Sequence, residues 1–106
     1  KVVKARGASA FTVAEVITQS NKLKDKPVQV SGKVVKYNGG IMGKNWIHLQ
    51  DGTGTASAAS NDILVTSAAT AKLGDVLTVS GVVRTDKDFG SGYTYKVLIE
   101  DARPKP

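Results

Sequence analysis

The chain carries a Ser-Gly pair at the centre of two apolar runs, VQVSGKVV (Val28–Val35) and LTVSGVV (Leu77–Val83). A glycine in the middle of a strand weakens the strand, and it usually marks a bulge or a sharp bend. A small closed sheet needs such bends, because a strongly coiled strand can then pair with neighbours on both sides. The two runs therefore predict the first and fourth strands of a small β-barrel.

The composition is that of one globular domain, with 106 residues, of which 41% are hydrophobic and 23% are charged. No apolar run reaches the roughly 18 residues of a membrane span. Cysteine is absent, which excludes disulfides, thiolate metal sites and cysteine nucleophiles within this sequence. Because the first residue is Lys1 and not Met, we expect a trimmed product whose signal peptide, if there was one, has been removed.

The net charge of +6 favours polyanionic partners such as nucleic acid or anionic lipid head groups. Five of the cations lie near the ends of the chain, so the folded body is expected to be only weakly basic. Those five are Lys1, Lys4, Arg6, Arg103 and Lys105. We interpret residues 1–9 as a disordered leader, 10–102 as the folded domain and 103–106 as a flexible tail.

The order of elements follows from capping, alternation and turn residues. Thr12 and Glu15 form a capping-box pattern that predicts a helix over 13–21, and Pro27 prevents its continuation. The predicted strands are 28–37, 45–50, 62–66, 76–84 and 93–100. Residues 55–61 are either part of the third strand or a bulged excursion from it.

Five strands in this order, with bent first and fourth strands, predict an all-β fold: a five-stranded OB-fold Greek-key barrel with a short N-terminal helix. The stretches Val30–Val35, Trp46–Gly54 and Gly74–Gly81 resemble the OB-fold of the helicase and transfer-RNA anticodon-binding type. The region Phe11–Ala102 is similar to small exported bacterial single-OB proteins, often encoded near multihaem cytochromes. The resemblance implies a nucleic-acid-binding fold and, for an exported protein, a periplasmic location.

The second predicted strand alternates, with Ile47 and Leu49 on one face and Trp46, His48 and Gln50 on the other. In an OB-fold, the second and third strands supply the binding face. Trp46 would stack on a base, while His48 and Gln50 contact the base edge or a phosphate. In the alternative interpretation, a glycine-rich loop covers Trp46 and His48 only fills space beside it.

The loop 38–44 contains three glycines, Gly39, Gly40 and Gly43, whose backbone amides would bind a phosphate. Ile41 and Met42 stand between them and either cap the barrel mouth or contact a partner. We expect capping, because exposed apolar loops promote aggregation.

The loop 85–92 is expected to join the loop 38–44 as the rim of one cleft, since these loops flank the usual OB-fold site. Phe89 and Tyr93 would extend the stacking surface, whereas Tyr95 is expected in the core. Five lysines would supply positive charge: Lys33, Lys36, Lys44, Lys87 and Lys96.

Catalytic and metal sites are not predicted. His48 is the single histidine, so triads and histidine-rich zinc sites are excluded within this sequence. Asp86 and Asp88 have the spacing that opens a calcium loop, but the third carboxylate and the closing Glu are missing. We therefore expect no enzyme activity, no metal and no cofactor.

Two functions remain open at this point. The first is a non-enzymatic, monomeric module that binds single-stranded nucleic acid or another extended polyanion, with Trp46 and Phe89 stacking on bases. The second is an exported, periplasmic protein-interaction or accessory module, associated with cytochromes, which uses Ile41 and Met42 as its contact.

Overall fold

The computed structural model describes residues 2–90 and 92–105. Lys1, Ser91 and Pro106 lie outside the described residues, so the predicted leader, the loop 85–92 and the predicted tail are each described in part. The elements are α1 Val13–Thr18, α2 Ser20–Leu23, β1 Pro27–Ile41, β2 Lys44–Gln50, β3 Ile63–Ser67, β4 Val76–Asp88 and β5 Thr94–Pro104. The strands β1, β4 and β5 extend further than predicted.

All five strands belong to one sheet, which closes into a ring in the order β1-β2-β3-β5-β4. Neighbouring strands are antiparallel except for β3 and β5, which are parallel. β1 pairs with β4 through Pro27–Lys33 and with β2 through Lys33–Ile41. The prediction of a mostly β structure with a small helical part is confirmed.

The two Ser-Gly pairs lie where strands change partner or register. β1 passes from β4 to β2 at Gly32 and Lys33, and a Cβ on Gly32 would stand 2.9 Å from the Cβ of Leu49. Gly81 lies in β4 at a register shift against β5, between Ser80 and Val82. Glycine permits this close approach of strands, because it brings no side chain between them.

The two helices and the strands enclose one main core. Aliphatic side chains of all five strands point inward, and Val13, Val16 and Leu23 of the helices pack against them. The capping box is present: Thr12 Oγ1 accepts from the Glu15 N–H at 3.1 Å, and Glu15 Oε1 accepts from the Thr12 N–H at 2.8 Å. The predicted helix 13–21 is instead two short helices, because Gln19 leaves helical geometry.

The segment between β2 and β3 is an excursion, and the third strand begins only at Ile63. The Ser60 N–H donates to the Thr55 carbonyl at 3.0 Å, and the Thr55 N–H donates to Ser60 Oγ at 2.9 Å. These bonds close a turn over residues 55–60, which settles the alternative that the sequence left open.

Among the helices in the described ranges, none has the length and apolar character needed to cross a membrane.

Candidate functional site

Trp46 of β2 is buried, with 4% of its surface exposed. Its indole Nε1–H donates to the Ile41 carbonyl at 2.8 Å, so the β1–β2 hairpin lies against it. The Phe89 ring packs edge-on at a centroid distance of 5.0 Å, and the Tyr95 ring lies tilted at 5.7 Å. Of the two interpretations of Trp46, the structure has the covered indole and not an open stacking surface. Little of the indole surface remains accessible to a ligand. Tyr95 belongs to this cluster with Trp46 and not to the main core.

Phe89 brings two hairpins together. Its half-buried ring has Lys44 Nζ at 5.3 Å and Lys87 Nζ at 5.6 Å from the ring centroid. Lys44 begins β2 and Lys87 lies near the end of β4, so the two cations come from different hairpins. An ammonium within about 6 Å of a ring centroid is attracted by the ring quadrupole. The structure thus brings together parts of the loops 38–44 and 85–92.

The stretch 38–44 is a tight hairpin, since β1 runs to Ile41 and pairs it with Lys44. The two turn residues have positive φ, 53° at Met42 and 76° at Gly43. The Gly40 N–H already donates to Asn45 Oδ1 at 3.0 Å, so this amide is not free for a phosphate. Ile41 and Met42 have 38% and 44% of their surface exposed and belong to neither buried cluster.

His48 and Gln50 share a carboxylate that the sequence patterns did not single out. His48 Nδ1 lies 2.7 Å from Asp62 Oδ1, and Gln50 Nε2 donates to Asp62 Oδ2 at 3.0 Å. The register of β2 against β3 pairs Leu49 with Ile63, which places Asp62 beside Gln50. No alternation within β3 predicts this register, because all five of its residues are buried. The carboxylate makes this part of the face less favourable for an anion.

Lys33 and Lys36 lie on β1 next to that polar group, in register with Gln50 and His48 respectively. Both lysines are exposed. Tyr93 is also exposed, at the end of the β4–β5 hairpin. Lys33, Lys36, His48 and Gln50 therefore lie together across β1 and β2. Trp46, two residues before His48 on β2, contacts Phe89.

Glu100 is a buried acid next to Lys87, one of the two lysines at the Phe89 ring. Arg84 Nε donates to Glu100 Oε1 at 3.1 Å, and Lys87 Nζ lies 3.4 Å from Glu100 Oε2. Burial of Glu100 opposes its ionisation, but the Arg84 hydrogen bond and the charges of Lys87 and Lys44 outweigh it, so the pKa of Glu100 lies below its usual value. Part of the positive charge of Lys87 is thus balanced within the protein.

The lowered pKa of Glu100 predicts a pH dependence of stability. The ionised form is favoured in the folded state, so this stabilisation is present above the unfolded-state pKa and is lost as the pH falls through the folded-state pKa. In Glu100→Gln, we expect the free energy of unfolding to fall less steeply between about pH 5 and about pH 3. Denaturant titrations across this range measure the slope. A slope equal to that of the unmodified protein would contradict the assignment.

A groove of about 450 Å³ lies between the helices, the turn at 55–60 and the β4–β5 hairpin. Asp62, Asp86, Tyr95 and Lys96 line it. Asp86 has a φ of 50°, a left-handed conformation that is uncommon for a residue other than glycine. Of the five predicted lysines, Lys96 alone is among the residues that line this groove.

Within residues 2–90 and 92–105, no three His, Cys, Asp or Glu side chains are grouped so that they hold a metal ion. In comparisons of the chain with protein-family models and with curated proteins, no family model and no curated protein matches.

Proposed function

We propose that this chain is a non-enzymatic OB-fold module, acting as a monomer, that binds single-stranded nucleic acid. Three features support the OB-fold assignment: five strands closed in the order β1-β2-β3-β5-β4, a long β1 that pairs with both β2 and β4, and a short helix packed on the core. In that fold, oligonucleotides bind across the second and third strands and the loops after the first and fourth strands.

The pair of lysines around Phe89 is the observation that carries the proposal. Proteins that bind single strands combine a positively charged surface for the backbone with aromatic rings on which bases stack. Lys44 and Lys87 place two cations within 5.6 Å of the centroid of one aromatic ring, and the Trp46 ring packs against Phe89 at a centroid distance of 5.0 Å. Phe89 and the exposed Tyr93 are therefore the stacking groups in this proposal, and Trp46 positions Phe89.

The lysines on β1 extend the proposed path. In the part of the chain that the structure describes, neither Lys33 nor Lys36 takes part in an ion pair. Because they lie beside Gln50 and His48, these two lysines extend the basic surface from Phe89 along β1. His48 and Gln50 would contribute polar contacts, with Asp62 orienting both side chains.

A chemical-shift titration with a short mixed-sequence single-stranded oligonucleotide at low salt tests this function. We expect shifts at Lys33, Lys36, Lys44, His48 and Phe89 that weaken as salt rises, because phosphate binding releases counterions. No shift with any oligonucleotide would refute the proposal.

Lys44→Ala with Lys87→Ala is expected to weaken oligonucleotide affinity about thirtyfold, at roughly 1 kcal/mol for each cation removed. The slope of log affinity against log salt should also become shallower by about 0.7 for each phosphate that the variant no longer neutralises. The matched control is Lys22→Ala with Lys24→Ala, which removes the same charge from an exposed part of α2 and the residue after it. Equal weakening by both pairs would show that net charge alone drives binding.

We propose as a second candidate function a protein-interaction or accessory module, which the exposed hairpin tip supports. Its export to the periplasm and its association with cytochromes are what the resemblance alone implies. Met42 holds a left-handed conformation in a two-residue turn, where Asn or Gly would be less strained and more soluble. Strained conformations of this kind cluster at functional positions. An absence of oligonucleotide binding, combined with a protein partner that Met42→Asp no longer captures, would favour this candidate.

A further inference from the structure

Three aliphatic side chains lie exposed where β1 meets the start of β4. Val35, Leu73 and Val76 expose 40%, 68% and 63% of their surface. The Gly74 N–H donates to the Val34 carbonyl at 2.9 Å, and the Val34 N–H donates to the Asp75 carbonyl at 2.8 Å. These two bonds hold the segment 73–76 against β1, which brings the three exposed residues onto adjoining backbone. They are here called the aliphatic patch.

The exposure of Val35 results from a β-bulge. Val34 pairs with Leu49 and Lys36 pairs with His48, which leaves Val35 as the extra residue of β1. Val34 is buried, whereas Val35 and the following Lys36 are both exposed. Bulges of this kind re-aim a side chain and are local features of a fold, not defects. Scattered exposed apolar residues are ordinary, but a joined group of them marks an interaction surface.

Cations surround the aliphatic patch. Lys33 is in register with Val76, and Lys72 directly precedes Leu73. On its other side, Val76 lines a groove of about 490 Å³ together with Arg6 and Lys105. The carboxylate nearest in sequence is that of Asp75, which accepts a hydrogen bond from the Lys72 N–H at 2.9 Å. The charge around the patch is therefore positive, and a complementary partner is anionic.

We infer that the aliphatic patch docks the protein on an anionic lipid bilayer. Interfacial binding combines insertion of apolar side chains below the head groups with attraction of Lys and Arg to anionic lipids. Leu73 and Val76 supply the apolar part, and Lys72, Arg6 and Lys105 supply the charge.

The composition of the patch favours a bilayer over the other anionic partners. Protein interfaces are enriched in aromatic residues and Arg and depleted in Lys, whereas this patch is aliphatic and ringed mainly by lysines. Binding of single-stranded nucleic acid relies on aromatic stacking, and the patch contains no aromatic side chain. The two surfaces share Lys33, but the inference does not depend on the proposed function, because the residues changed in its test, Leu73, Val76 and Lys72, lie outside the proposed nucleic-acid surface.

Co-sedimentation with lipid vesicles tests the inference. We expect binding to vesicles of phosphatidylcholine mixed with phosphatidylglycerol, and little binding to phosphatidylcholine alone. Leu73→Ser with Val76→Ser should weaken binding about tenfold or more, because less apolar surface is inserted. Lys72→Glu should weaken it by at least about fivefold, as expected for one cation near an anionic surface. Circular dichroism verifies that each variant is folded.

Two matched controls separate the patch from general effects. Val3→Ser removes an exposed valine outside the patch, and Lys22→Glu makes the same charge change as Lys72→Glu on α2. The inference holds if the patch variants lose affinity as stated while both controls bind as the unmodified protein does, and patch variants that bind like the unmodified protein overturn it. It is overturned if no variant of the protein binds mixed vesicles, or if the controls lose as much affinity as the patch variants. The inference is also overturned if the protein binds soluble polyglutamate as tightly as it binds mixed vesicles and if Leu73→Ser with Val76→Ser does not change that binding. This result would indicate an acidic protein partner.

Discussion

Gly81→Ala is expected to lower the free energy of unfolding by about 3 kcal/mol, at the upper end of the usual cost of overpacking a core. A Cβ on Gly81 would stand 2.5 Å from Ile99 Cγ2, 3.0 Å from the Glu100 carbonyl oxygen and 3.1 Å from the Ala102 Cα. Two of these contacts are with the backbone of β5, which no rotamer change relieves. The new methyl group must therefore separate β4 from β5 at the register shift.

Urea denaturation of Gly81→Ala measures this loss, and Ser80→Ala is the matched control. Ser80 is the neighbouring residue of the same strand, and its replacement removes an atom where Gly81→Ala adds one. We expect a change within about 0.5 kcal/mol for the control, as for ordinary substitutions away from the core. An unfolding free energy of Gly81→Ala equal to that of the unmodified protein would show that β4 and β5 are not closely apposed here.

Asp51→Ala is expected to lower the free energy of unfolding by about 3 kcal/mol, because it removes a buried charged acceptor from several donors. The Asp51 side chain is buried, and its Oδ2 accepts from the Val13 N–H at 2.9 Å. Its Oδ1 accepts from the Thr53 N–H, also at 2.9 Å, and from the Thr53 hydroxyl. Without Asp51, the Val13 N–H at the start of α1 stays buried and without an acceptor, and the turn after β2 loses its anchor.

Thermal and denaturant unfolding of Asp51→Ala should be compared with Asp75→Ala. Asp75 accepts one exposed hydrogen bond, from the Lys72 N–H, so its replacement should cost less than about 1 kcal/mol. Asp51→Asn retains an acceptor oxygen and should fall between the two. Equal stability of Asp51→Ala and Asp75→Ala would contradict the anchoring role of Asp51.

Local sequence signals were sufficient for much of the fold. The Ser-Gly pairs at Gly32 and Gly81 predicted bends, and both glycines lie at close strand approaches. The alternation of Ile47 and Leu49 predicted inward positions, and both side chains are buried. These signals depend on the backbone freedom of glycine and on the two-residue period of a strand, which act over a few neighbouring residues.

The strand ends were less predictable. The stretches 38–41 and 85–88 contain turn residues such as Gly40 and Asp86, which suggested loops, yet both are strand. Pairing across a hairpin overrides the local preference, because each paired residue gains ladder hydrogen bonds and cross-strand contacts. Because β4 extends to Asp88, Lys87 and Phe89 lie next to the β1–β2 hairpin.

The nature of the candidate site depends on contacts between residues distant in the chain. The alternation of β2 placed Trp46 on the ligand side, but Phe89 and the Ile41 carbonyl cover it. Asp62 joins His48 and Gln50 only through the register of β3. Neither contact has a signature in a short window of sequence.

The residues alone thus predicted a β-rich domain of five strands with an N-terminal helix and a capping box. Periodicity, capping and glycine placement are local properties, so one sequence suffices to see them. The covered Trp46, the Lys44–Phe89–Lys87 cluster and the aliphatic patch around Val35 emerged only with the folded chain. Each depends on register, on a bulge or on the meeting of two hairpins, and these arise when the sheet closes.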